Sequence, residues 1–133
     1  KTNLVFDNRL TNIGGSDQLF FSLLKINGFE IRWNSNNPVI ETYQKKRDNL
    51  NWFIKRNFRY SSSSVLIDRY THGFTKGTFY SVLRFNFYVL KFLINILIIP
   101  INPKKNFLIC LNYLIRCISI ILGFFGFFPK KYI

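Results

Sequence analysis

Two long apolar runs constrain this chain more than anything else in it. FYSVLRFNFYVLKFLINILIIP extends from Phe79 to Pro100, and FLICLNYLIRCISIILGFFGFF extends from Phe107 to Phe128. Each has the length of a helix that crosses a hydrocarbon core of about 30 Å. Between them lies a tight polar loop, Ile101 to Asn106, with Pro103 inside it. Two apolar helices and a short loop predict a hairpin. Charges interrupt it at Arg84, Lys91 and Arg116. A mid-membrane arginine costs about 2.5–3.5 kcal/mol on insertion scales. Lys91 and Arg116 stand near the middles of their runs, so each needs a polar neighbour such as Asn86, Asn95 or Asn112. Three arrangements remain open: a spanning or deeply embedded hairpin, an amphipathic pair lying in the interface, and a buried pair in a soluble protein.

Charge narrows the partners. Lys and Arg total 19 against six acids, a formal charge of +13. All the acids (Asp7, Asp17, Glu30, Glu41, Asp48, Asp68) precede residue 79. Such a balance favours phosphate-bearing partners: nucleic acid, nucleotides or anionic lipid. A nucleic-acid binder would have no use for the apolar tail, so no nucleic acid is expected. The heavier basic load before residue 79 puts that part on the cytoplasmic side. Lys104 and Lys105 in the loop compete with Lys130 and Lys131 at the tail, so the hairpin alone does not decide orientation.

Cysteine and histidine carry no recognisable chemistry. Cys110 and Cys117 would share one helical face about 10 Å apart along the axis, too far for a disulfide. There is one histidine, His72, and no Cys-x-x-Cys, so no metal residues are assigned. The chain of 133 residues starts at Lys1 and contains no methionine, which suggests a piece of a longer polypeptide.

Three parts are expected: mixed globular structure over 1–60, a connection over 61–78, and the hydrophobic hairpin with its basic tail over 79–133. In the first part Ser16 is a good N-cap, and Leu19, Phe20, Leu23 and Leu24 fall on one helical face. Asn27-Gly28 ends that helix, with Gly28 in the left-handed conformation. Phe29, Ile31 and Trp33 alternate with Glu30 and Arg32, the pattern of a half-buried strand. Asn34 to Pro38 is a turn cluster, and Val39 to Tyr43 reads as a second extended segment. Asp48 can cap a helix from Asn49 to about Tyr60. Ser61 to Ser64 and the Gly/Thr-rich Thr71 to Thr78 suggest the connection, with room for one helical turn at Val65 to Tyr70.

The chemistry is concentrated at Gly14-Gly15-Ser16-Asp17. Glycines let the backbone turn sharply and approach a ligand closely. Asp17 then falls in the first helical turn, where the helix dipole favours a negative charge. A carboxylate there can act as a general base. It can equally be a helix-end charge with no catalytic part. Lys45, Lys46 and Arg47 suit the charge that develops on a leaving diphosphate, and equally a solvated charge run. Trp52 suits stacking on a sugar face, and equally core packing. Lys55, Arg56 and Arg59 are expected to meet lipid head groups.

The ordered set Phe6-Asp7, Gly14-Gly15-Ser16-Asp17, Phe20-Phe21, Asn27-Gly28-Phe29 and Ile31-Arg32-Trp33 resembles the second half of a family 2 glycosyltransferase catalytic domain. Glu41, Arg47 and Trp52 in VIETYQKKRDNLNWFIKRNFR stand at matching later positions. Ser16 replaces the glutamate usual in that family, and Asp48 follows Arg47 where processive members have tryptophan, so processivity is not inferred. The resemblance covers roughly residues 3–60. It implies an α/β fragment, the C-terminal portion of a GT-A-like domain, followed by two hydrophobic, membrane-associated helices. It implies inverting transfer of a sugar from a nucleotide-sugar to an acceptor hydroxyl; the apolar hairpin, not the motif, would dock the enzyme at the membrane, within reach of a lipid-linked or polysaccharide acceptor. Asp17 would be the catalytic base, Gly14 and Gly15 would shape the acceptor-side turn, and Arg47 and Trp52 would contact substrate. The implied divalent metal (Mg or Mn) would be held by an Asp-x-Asp, which occurs nowhere in this sequence. The segment alone is therefore expected to be inactive. The rival expectation is a small, basic, non-enzymatic membrane protein whose first 60 residues form a cytoplasmic interaction domain.

Overall fold

The computed structural model describes residues 6, 10, 13–32, 34, 36, 38–40, 42 and 49–129. The described residues form four α-helices: α1 (Ser16–Ile26), α2 (Leu50–His72), α3 (Phe74–Ile98) and α4 (Pro103–Phe124). A short 3-10 turn, Ile99–Ile101, joins α3 to α4.

The expected α/β fragment is corrected by this architecture: among the described residues there is no strand. The alternation at Phe29 to Arg32 marks no buried face. Ile31 is 56% exposed, and Val39 and Ile40 exceed 90%. A strand needs a neighbour to take its backbone N–H and C=O groups, and alternation alone does not supply one.

Helix ends follow the sequence closely. Gly28 adopts φ 81° after α1. There the Gly28 N–H donates to Lys25 O and the Phe29 N–H to Leu24 O, the Schellman pattern. The N-cap of α1 is Gly15, one residue before the expected Ser16, in the left-handed region with φ 89°. At the start of α2 the cap is Asn49, whose Oδ1 accepts from the Trp52 N–H at 2.7 Å. Asp48, the expected cap, lies outside the described residues. Pro103 opens α4, where its missing N–H costs nothing.

The serine run does not break the chain. Ser61 to Ser64 lie in the middle of α2, which continues to His72 and turns at Gly73 with φ 80°. The hydroxyls of Ser62, Ser63 and Ser64 donate to carbonyls three residues back, so these buried groups are satisfied within the helix. Their small size lets helices approach. A Cβ on Gly123 of α4 would stand 2.7 Å from the Ser62 carbonyl oxygen. One on Gly77 of α3 would stand 2.5 Å from the Arg69 nitrogen. Thus α2 crosses both apolar helices at backbone-to-backbone distance. Opposite this crossing, Leu19 of α1 packs with Leu10 and Ile67, and Leu23 and Leu66 flank them.

Polar bonds reinforce the crossing. Asp68 accepts from Ser81 Oγ at 2.8 Å and from Arg84 Nη2 at 2.9 Å. The Arg69 Nε–H donates to Thr78 Oγ1 at 3.2 Å. Farther along, the Asn106 amide donates to Ile98 O at 2.7 Å and clasps the turn between α3 and α4.

Both apolar helices are long enough to cross a membrane: α3 has 25 residues and α4 has 22, about 37 and 33 Å at 1.5 Å per residue. None of the most apolar stretch of α3 is buried, and only 33% of that of α4. Leu97 is 79% exposed and Ile101 81%. Apolarity left exposed to this extent, along α3 above all, suits a lipid environment.

Candidate functional site

A cleft of about 980 Å³ runs along α2, with α1 on one side and α3 and α4 on the other. Its volume lies at the upper end of the usual range for small-molecule sites. From α1 it takes Asp17, Gln18, Phe21 and Ser22. From α2 it takes a long strip that includes Trp52, Arg56, Asn57, Tyr60 and Asp68. Arg84 and Tyr88 of α3 and Arg116 of α4 close the far wall.

Two residues singled out in the sequence line this cleft. Asp17 stands exposed in the first turn of α1, and half-buried Trp52 lies in the first turn of α2. Both line the cleft. Gly14 and Gly15 do not line it. Their φ angles of 95° and 89° carry the chain into α1, and their bare backbone sits on α2. A Cβ on Gly14 would be 2.9 Å from Arg59 Nε, and one on Gly15 would be 2.5 Å from Ile67 Cδ1. Their part is to set α1, and with it Asp17, close against α2. Arg47, with Lys45, Lys46, Glu41 and Asp7, lies outside the described residues.

The sequence reading did not assign the cleft's arginines. Arg56, expected at lipid head groups, lies with its guanidinium 4.8 Å from the Trp52 ring centre and 5.6 Å from that of Tyr60. The signal was the i, i+4, i+8 spacing of Trp52, Arg56 and Tyr60, which places all three on one helical face. Arg84 pairs with Asp68, whose side chain is 10% exposed against 33% for Arg84. Arg116 donates to Asn112 Oδ1 at 3.1 Å, Tyr88 Oη at 3.0 Å and Asn57 Oδ1 at 3.2 Å. Asn112 was one of three asparagines expected beside Lys91 and Arg116, and it lies on the same helix as Arg116; Tyr88 and Asn57 were not expected. Lys91 lies with Nζ 5.5 Å from the Phe87 ring centre. The charges that interrupt the apolar runs are thus turned toward other side chains.

The cleft's two carboxylates do not fit a divalent ion. Asp68 is committed to Arg84 and Ser81, which leaves Asp17 alone.

Comparison with protein-family models, with curated proteins and with solved structures finds no match to this chain.

Proposed function

We propose that this chain is the acceptor-side part of a membrane-associated glycosyltransferase of the family 2 kind, which moves a sugar from a nucleotide-sugar to an acceptor hydroxyl with inversion. The observation that carries the reading is that Asp17 and Trp52 line one cleft beside two largely exposed apolar helices. The Asp17 carboxylate takes the proton of the acceptor hydroxyl. The hydroxyl oxygen bonds to the anomeric carbon, and the nucleoside diphosphate leaves from the opposite face. Trp52 offers a flat apolar face to a sugar ring. The apolar helices hold the cleft at the membrane, with the basic N-terminal part on the cytoplasmic side, where an acceptor carried on a lipid is within reach. The reading rests on the cleft and not on a sheet. Donor binding falls to other parts of a longer polypeptide.

A sugar-transfer assay on that full-length polypeptide tests it. Asp17→Asn keeps the shape of the side chain and removes its proton-accepting power. Turnover should fall about 10²- to 10⁴-fold, the span of a general base, with nucleotide-sugar binding largely kept. Asp7→Asn should do far less. Transfer by Asp17→Asn at near the wild-type rate would leave Asp17 as a helix-end charge and end the catalytic assignment.

A further inference from the structure

The cleft holds guanidinium charge that its carboxylates do not neutralise. Arg84 is paired with Asp68. Arg116 is not paired: its three hydrogen bonds end on neutral oxygens of Asn112, Tyr88 and Asn57. A guanidinium has five N–H groups, so part of its donor fork remains unused. Arg56 is held by its ring contacts to Trp52 and Tyr60. Those contacts leave its N–H groups without a hydrogen-bond partner among the described residues. The remaining carboxylate, Asp17, is on the exposed rim, where water screens it. Two guanidiniums that line one cleft beside apolar helices favour a ligand with several anionic oxygens in a fixed geometry. Arginine forks match such a group bidentately, and Arg56 on the exposed side of the cleft and half-buried Arg116 offer theirs to one ligand.

We propose that the cleft binds a phosphate or diphosphate group, held between Arg56 on α2 and Arg116 on α4. This deepens the function proposed above and rests on the same cleft being a ligand site, but it does not require Asp17 to be a base. The group could belong to a membrane lipid or to a soluble diphosphate, since both present the same oxygens.

The test uses the full chain in lipid vesicles and follows Trp52 fluorescence in a Trp33→Phe background. Inorganic pyrophosphate probes the soluble source. Phosphatidylcholine vesicles with and without phosphatidic acid probe the lipid source. A saturable response to at least one probe is expected. Arg56→Gln and Arg116→Gln should each weaken it about tenfold or more, the loss of charge-assisted hydrogen bonds. Lys76→Gln removes the same charge from an exposed position outside the cleft and should leave binding within about twofold, as an exposed charge does. If Arg116→Gln does not fold, Arg56→Gln carries the test, because Arg56 makes only ring contacts. Equal losses in Lys76→Gln and Arg56→Gln, or no saturable response to either probe, overturn the proposal. Asp17→Asn should retain anion binding while it loses transfer, so failure of this inference and failure of the catalytic reading are separable.

Discussion

Gly77→Ala sets two physical effects against each other, and the sign of the result decides between them. Gly77 is buried in the first turn of α3. Helix propensity alone makes alanine better by about 1 kcal/mol. Packing says the opposite. The new Cβ would lie 2.5 Å from the Arg69 nitrogen and against the Asp68 carbonyl group, whereas ordinary contact begins at 3.4 Å. Both obstacles are backbone, so no rotamer change relieves them, and α2 and α3 must part. The same two helices are joined by Ser81 and Arg84 donating to Asp68 at 2.8 and 2.9 Å. Separation by nearly an ångström stretches those bonds beyond useful length. Overpacking costs about 1–3 kcal/mol, and weakened bonds to a charged group add about 1.5–3. After the propensity gain, a net loss of about 1.5–5 kcal/mol is expected. The assay is reversible unfolding of the full chain in detergent, followed by helical circular dichroism. Lys76→Ala, on the exposed surface one residue earlier, should be nearly neutral and controls for propensity. If Gly77→Ala stabilises the protein, α2 and α3 do not meet at this point, and the helix crossing described above is wrong.

Asp68→Asn should destabilise by about 2–3 kcal/mol in the same assay, somewhat below the range for a fully buried ion pair because Arg84 is a third exposed; Ser81→Ala should cost about 1 kcal/mol. A fusion carrying residues 74–124 should stay in the membrane pellet after carbonate extraction, as its two exposed apolar helices require. Its release into the soluble fraction would favour helices that lie in the interface or are covered by protein.

What could be read in the sequence was what local chemistry controls. The apolar runs became α3 and α4, and Gly28 ended α1 in the left-handed conformation, whereas Pro103, expected inside a loop, opens α4. The errors share one cause, the use of a local pattern where a neighbouring helix decides. Ser61 to Ser64 read as a connection because serine is common in turns, yet their small size is what the crossing with Gly123 demands. Phe29 to Arg32 read as a strand because alternation is compatible with one, but a strand exists only with a partner. The candidate site divides along the same line. Asp17 stood out by its glycine turn, and Trp52 by its place in a basic helix. The charges of Arg84 and Arg116 looked like defects in membrane runs until α2 supplied Asp68 and Asn57 beside them. A charged residue inside an apolar run is expensive unless something pairs with it, so it points to a partner elsewhere in the chain. Arg84 and Arg116 therefore carried, in the sequence itself, the information that the apolar hairpin was incomplete without α2. What they could not specify was that one of those partners, Asp68, stood in a segment whose composition resembles a loop.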